Sequence, residues 1–555
     1  MPSYSIGLDY GTSSVRGLLV DVQNGAEIAS SVFPYPQGKA GILLDDRDSD
    51  LARQHPQDYL DGAVAVITGV LSQGKSHAGF DPAQVIGIGV DTTGSTPIPV
   101  NAEGVPLALT PEFSSNLAAF AWLWKDHTGF AEAVEITALA AQIRPEYLAK
   151  CGGIYSSEWY WSKVLHCLRT APDVFQAAAT WVEHADWLPA VLSGTTHPDQ
   201  LKRGICAAGH KALFHADWGG YPDEEFLSKL DPRLVTLRQN LPNTAYSVGT
   251  AAGTLSAEWS EKTGLPVGIP VSVGAFDAHL GGVGSGIKPG VLVKNLGTSC
   301  CDMMVASLDT PLADIPGLCG IVPESILPGF FGLEAGQSAV GDIFNWFVTE
   351  VHPGGMGHEE LTQGASKLAP GESGLLALDW LNGNRTVLVD TRLTGAMLGI
   401  SLQTTPAELY RAWVEATAFG ARVIMERFEE YGQKVDQIVN CGGISVKNPM
   451  IMQIYADVMG HPLAISRSSQ TAALGSAIAG AVAAGAYPSF AEATTAMTAL
   501  HPHIFTPDPK NQATYSKLYL LYRQLHDAFG IKNTREDLSD VMKQLLTIRD
   551  EARHV

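Results

Sequence analysis

Two short strings carry the residue types best suited to gripping an anion. In "GLDYGTSSVR", Gly7 to Arg16, and again in "LVKNLGTSCC", Leu292 to Cys301, the triplet Gly-Thr-Ser sits between apolar runs, as Gly11-Thr12-Ser13 and Gly297-Thr298-Ser299. Backbone N–H groups in a tight turn converge on an anion, and small hydroxyl side chains add donors without blocking its approach. One such turn is ordinary loop chemistry. Two equivalent turns would hold a polyphosphate from both sides. Arg16 adds positive charge, and Asp9 offers an acceptor to a hydrated metal ion, since Mg²⁺ keeps most of its waters and takes few carboxylates. A third string, "GAFDAHLGG", puts Asp277 directly after an apolar run and among small residues. A carboxylate so placed can take the proton of an attacking hydroxyl, and phosphoryl transfer then needs mainly positioning and charge stabilisation. The same position equally suits a helix cap. Asp91, closing the run "VIGIGVD", has the same two readings, and His279 reads as structural.

Chemistry of this kind needs strands that end at a cleft. Alternating and apolar runs predict a hairpin from residues 4–10 and 15–21, a third strand near 26–33, and a buried strand over 85–91. Helical spacing covers 55–71, while the Trp-rich stretch 110–250 does not parse. The glycine-dense "LGGVGSGIKPG" reads as a linker, with a boundary near residue 285. Beyond it come the second hairpin, a long helix near 406–431, a strand at 437–441, helices near 449–459 and 471–484, and a helical tail from about 511. The duplicated hairpin predicts two related domains, 1–285 and 286–555, facing each other across a cleft. Two unrelated hairpins that share common turn residues are the alternative.

A literal P-loop string, "GVLSQGKS" at 69–76, is rejected: a working P-loop follows a strand and opens a helix, whereas this one ends a helical pattern at Gly74. A net charge of −21 argues against a nucleic-acid surface, which rests on clustered Lys and Arg. Seven cysteines without a C-x-x-C pair fit reduced thiols in a cytoplasmic protein. No secretory signal opens the chain, and the small-residue run 472–486 is too short for a bilayer and reads as a closely packed buried helix.

In order along the chain, "GLDYGTSSVR", "GAFDAH", "NLGTS", "CGGISVKNPMIMQIYADVMGHPL" and "TAALGSAIAG" resemble the FGGY carbohydrate kinases over essentially the whole length. The resemblance implies an α/β chain with the duplicated ribonuclease H-like fold of actin, hexokinase and the heat-shock chaperone ATPases, with ATP and Mg²⁺ in an interdomain cleft and a homodimer as the assembly. It makes Asp277 the general base, Gly11, Thr12, Ser13 and Arg16 the first phosphate loop, and Gly297, Thr298 and Ser299 the second. Asp9 becomes an acid near the metal, acting through water. Gly442, Gly443 and Asn448, with Gly341 and Asn345, become the nucleotide pocket. The strings "GVDTTGSTPIP", "AGHKALFH" and "GLEAGQSAVGDI" resemble the branch that phosphorylates the ketopentose L-ribulose, which implies sugar contacts from Ser95, Thr96, Lys211 and Glu334. The common W-x-D-x-R motif appears as Trp124-Lys125-Asp126-His127-Thr128, without its arginine, and Lys163 is followed by His166 where many relatives have tryptophan. Both departures speak against a glycerol kinase or xylulokinase. Asp126 either serves the sugar or orients its loop. The nearest alternative is a kinase of another pentulose or polyol. A more distant one is a non-catalytic, nucleotide-driven binding protein.

Overall fold

The computed structural model describes residues 2–553. Its first sheet is built from β1 (Tyr4–Tyr10), β2 (Ser14–Asp21), β3 (Glu27–Pro34), β4 (Val85–Thr92) and β5 (Pro270–Ser272), with helix α1 (Pro56–Gly74) alongside. Helices α2 (Ile205–Lys211) and α3 (Asp277–Gly284) lead towards the second sheet, which holds β6 (Val291–Leu296), β7 (Cys300–Ser307), β8 (Phe330–Gln337), β9 (Gln437–Cys441) and β10 (Leu463–Ile465). Helices α4 (Pro406–Glu430), α5 (Thr471–Ala483) and α6 (Pro509–Gly530) complete the set used below.

The strand order is β3-β2-β1-β4-β5 in the first sheet and β8-β7-β6-β9-β10 in the second, with strands Ala251–Thr254 beside β5 and Gly320–Pro323 beside β8. Directions agree as well as order. Each hairpin is antiparallel, and its first strand runs parallel to a later one, β1 with β4 and β6 with β9. Shared turn residues alone would not reproduce this topology, so the two hairpins are equivalent parts of a duplicated α/β fold.

β1 and β4 are buried along nearly their full length, as strands covered on both faces must be. The cover on one face is α5. This run of small residues lies late in the chain yet packs against β1 and β4 of the first sheet, where Ser5 Oγ donates to the Ala477 carbonyl at 2.7 Å. Helix α3 leans against β6 and β7, so a single core joins Leu18, Leu280, Val293, Val439 and Ala477 across the two sheets. Where α3 and α5 cross, a methyl built on Gly475 would lie 1.9 Å from the Leu280 carbonyl oxygen, and one on Gly284 would lie 2.0 Å from that of Thr471. Gly475→Ala is therefore expected to destabilise the chain by about 2 kcal/mol, as overpacking of a tight contact does. Thermal unfolding checks it, and an unchanged midpoint would refute the close contact.

The stretch 110–250 forms a helical layer around buried Trp122, Trp161, Trp181 and Trp187. The rejected P-loop string is the end of α1, which runs to Gly74. The helical tail begins at Pro509 and is part of the second domain's core: Tyr515 donates to Glu415 on α4 at 2.9 Å, and Tyr522 to Asp379 at 2.8 Å. Among the described residues no helix is long and apolar enough to cross a membrane.

Candidate active site

Strand register assembles a row of carboxylates. Asp9, next to last in β1, lies opposite Arg16 on β2, their side chains 3.4 Å apart, and on the other side it is the register partner of Asp91 on β4. The short strand Ala275–Phe276 then pairs with Asp91 and Thr92, which brings Asp277 to the next strand end. Asp91 is wholly buried. One of its oxygens accepts from Ser476 Oγ of α5 at 2.6 Å and the other has no donor among the described residues. Burial raises both Asp9 and Asp91, and for Asp91 the neighbouring charge of Asp9 adds to the effect.

The capping alternative for Asp277 fails on position. Phe276 is the N-cap, and Asp277 is the first residue of α3. Its Oδ1 accepts from the Ala278 amide at 2.7 Å, while Oδ2 has no protein donor among the described residues. Burial, reinforced by the charge of Asp9, pushes this carboxyl up to about 7. Such a group exchanges a proton near neutrality, as a general base must.

The turns differ in what holds them. In the first, the Gly11 amide donates to the Ser14 carbonyl at 3.0 Å, Gln54 Nε2 donates to the Thr12 carbonyl at 2.7 Å, and Trp124 Nε1 donates to Thr12 Oγ1 at 3.0 Å. In the second, the Gly297 amide donates to the Ser299 carbonyl at 2.9 Å. The amides of Val340 and Asp342 donate to the Thr298 carbonyl, and that of Gly341 to the Gly297 carbonyl, at 2.8 to 3.1 Å. A methyl on Gly341 would meet the Gly297 oxygen at 2.6 Å, so this contact requires glycine. Asn345 lies exposed on the same short helix, Gly341–Trp346. Gly442 has φ +92° and packs on the end of β6, and Gly443 beside it faces open space. Asn448 is the N-cap of helix Pro449–Met459: its oxygen accepts from the Ile451 amide at 3.3 Å, and its nitrogen donates to Thr362 at 3.2 Å.

Lys211, at the end of α2, and Glu334, on β8, meet across the two domains, with Nζ 3.1 and 3.2 Å from the carboxylate oxygens. Arg385 Nη2 also donates to Glu334, at 2.8 Å, and the rings of His210 and His279 come within 3.3 and 3.5 Å of it. Burial alone would raise Glu334, but Lys211 and Arg385 outweigh it and hold the carboxyl well below its usual range. Burial pushes both imidazoles down, His279 to about 4, so they are neutral near pH 7. The ligating atoms of His210, His279 and Glu334 lie within 4.8 Å of one another, a spacing suited to a divalent ion. Such an ion would have to share Glu334 with two cations, so spacing alone does not make this set a metal site.

Three of the residues that the resemblance implied as sugar contacts have their side chains engaged by protein partners. Ser95 and Thr96 have no solvent exposure: the Ser95 hydroxyl donates to Glu183, and the Thr96 amide donates to the same carboxylate at 2.7 Å. Their side chains hold the turn, leaving any ligand contact there to the backbone. Lys163, also buried, ties this turn to the next loop by donating to the carbonyls of Ser95 and Leu123 at 2.8 and 2.7 Å. Asp126 is wholly buried and accepts from Arg53, from the Ala52 amide at 2.8 Å and from Thr128 Oγ1 at 2.6 Å. It orients its loop. Glu183 and Arg385 were not marked by any sequence motif.

Two sheets of equivalent strand order, joined by one core and with carboxylates at the strand ends of the first, define a duplicated ribonuclease H-like fold. The family comparison makes this specific. Residues 4–284 match the N-terminal domain, and residues 292–484 the C-terminal domain, of the FGGY family of carbohydrate kinases. The chain belongs to this family and is a carbohydrate kinase. It is 43% identical to the ribulokinase of Geobacillus thermodenitrificans (strain NG80-2), over 99% of this chain and 98% of that one. It is 40% identical to the ribulokinase of Mycolicibacterium smegmatis, over 99% and 97%. Among solved structures, a xylulose kinase from Lactobacillus acidophilus superposes with a TM-score of 0.79 at 19% identity, over 96% of this chain and 99% of that one. The glycerol kinase of Plasmodium falciparum with ADP gives 0.76 at 15% identity, over 96% and 99%.

Proposed function

We propose that this chain transfers the γ-phosphoryl group of ATP to the terminal hydroxyl of L-ribulose, giving L-ribulose 5-phosphate. The observation that carries the reading is Asp277, with one carboxylate oxygen free of protein donors among the described residues, at a strand end beside Asp91 and Asp9, together with the Lys211–Glu334 pair, in a chain about 40% identical to proteins named ribulokinase over its full length. Membership of a carbohydrate kinase family sets aside the non-catalytic alternative.

In this reading Asp277 Oδ2 takes the hydroxyl proton as the oxygen attacks, a contribution of roughly 10²- to 10⁴-fold for a positioned base. Lys211 donates to sugar oxygens and Glu334 accepts from sugar hydroxyls. Both are pre-paired, so a sugar that fails to match them leaves buried groups unsatisfied, at about 1–3 kcal/mol each. The amides and hydroxyls of Gly11, Thr12, Ser13, Gly297, Thr298 and Ser299, with Arg16, hold the phosphates. Gly341, Asn345, Gly442, Gly443 and Asn448 line the nucleoside side, where the open space at Gly443 lets the ligand approach the backbone.

Asp9, whose side chain is 15% exposed beside the unpartnered oxygen of Asp91, suits a hydrated Mg²⁺ held through water. When bound, that ion supplies charge neutralisation between phosphate oxygens. In this reading the domains divide near residue 285, between the two matched family domains, the assembly is the homodimer that the family resemblance implies, and a cytoplasmic setting fits seven free thiols.

The test is a panel of L-ribulose, D-ribulose, D-xylulose, ribitol and glycerol, assayed with Mg²⁺ and ATP. L-Ribulose is expected to give the highest kcat/KM. A preference of tenfold or more for D-xylulose or glycerol would replace this reading with the neighbouring kinase.

A further inference from the structure

The second domain offers the sugar a cation that no motif marks. Arg385 sits between two parts of the site. Its Nη2 lies 2.8 Å from Glu334, 3.6 Å from Cys319 Sγ and 3.7 Å from the Sγ of Cys301, which follows the second Gly-Thr-Ser turn by two residues. The side chain is 29% exposed, whereas Lys211 and Glu334 are 7% and 5% exposed, so Arg385 is the most accessible of these three charged groups. Its Nε and Nη1 have no protein acceptor among the described residues and are not sealed from solvent.

Charge points the same way. Lys211 and Arg385 both face Glu334, and both neighbouring imidazoles are neutral, so this carboxylate is met by two cations. In the loop Trp124 to Thr128 the hydroxyl of Thr128, which stands where the common motif has arginine, is spent on Asp126. A planar fork of unused N–H donors beside a carboxylate acceptor matches adjacent oxygens of a polyol chain.

We propose that Arg385 is a sugar-contacting, specificity-determining residue, donating from its Nε and Nη1 edge to adjacent oxygens of the pentulose while Nη2 stays on Glu334. The proposal rests on the kinase reading above. It makes the sugar site a composite of both domains: Asp277 and Lys211 from one, Glu334 and Arg385 from the other.

The experiment compares wild type, Arg385→Gln and Arg385→Lys by steady-state kinetics across the same sugar panel, with sugar binding followed separately by tryptophan emission; Trp159 lies 5.2 Å from Lys211 Nζ. For L-ribulose, Arg385→Gln is expected to raise KM roughly 10- to 100-fold, the size of one or two lost charge-assisted hydrogen bonds, with KM for ATP within twofold of wild type. Arg385→Lys keeps the charge without the fork and is expected to recover only part of the loss. The penalty should differ by tenfold or more between L-ribulose and at least one other member of the panel, because a direct contact depends on where the sugar's oxygens lie. An unchanged KM for L-ribulose, or one equal penalty for every sugar and for ATP, would overturn the assignment. Should Arg385→Gln fail to fold, the panel run on Arg385→Lys decides by the same criteria. A wild type inactive on every pentulose would instead refute the kinase reading itself.

Discussion

Asp277→Asn is expected to lower kcat by about 10³-fold while leaving nucleotide affinity within twofold of wild type. The amide keeps the shape and can still accept from the Ala278 amide, but it cannot take a proton, so what is lost is general-base assistance, worth about 10²- to 10⁴-fold. The pH dependence gives a second readout. The base must be ionised, and burial with the charge of Asp9 raises its carboxyl to about 7, so wild-type kcat/KM is expected to fall as pH drops below about 7. The variant should lack that limb. The stability term has the opposite sign. A raised carboxyl makes the folded chain hold its proton more tightly than the unfolded chain, so this group's contribution falls as pH rises from about 4 to 7 and is flat above. Asp277→Asn should therefore be at least as stable as wild type at pH 8, which separates lost chemistry from lost folding. Turnover within tenfold of wild type in this variant would remove Asp277 from its role.

Lys211→Met has the next largest expected effect. Lys211 and Glu334 are both nearly wholly buried and come from different domains, so the substitution leaves a carboxylate in the interface with Arg385 as its only remaining cation. Breaking a buried pair costs about 3–5 kcal/mol when no other partner exists, and Arg385 places this case at or below the lower end. If the pair contacts the sugar as proposed, the loss is expected as a rise of about 100-fold in sugar KM, with ATP KM nearly unchanged. Pairing Lys211→Met with Glu334→Gln should be non-additive, since either change alone already breaks the contact. A sugar KM within threefold of wild type in Lys211→Met would take the pair out of the sugar site.

The parts of this molecule that were legible in the sequence are those set by local pattern. Alternation and apolar runs located β1, β2, β4 and β9, and the repeated triplets marked equivalent turns because a tight turn between two strands restricts residue choice over a few positions. The small-residue run at α5 announced close packing, but not that its partner would be the first sheet, several hundred residues earlier in the chain. The layer from 110 to 250 was opaque because its tryptophans are buried by contacts distant in sequence, which leave no period to read. Arg385 escaped for a related reason: it lies in an irregular segment, and only the fold carries it to Glu334. Ser95 and Thr96 show the converse. A motif drew attention to their side chains, yet the turn they form is held by Glu183, a carboxylate at the end of the strand Thr180–Glu183 that no local pattern connects to them.

Where α3 meets α5, no side chain stands between the two backbones at Gly475 and Gly284. The backbones themselves therefore set the spacing of the two helices, and through them the spacing of the two sheets that share this core. A larger residue at either position would act as a wedge, forcing the helices apart and shifting one sheet against the other.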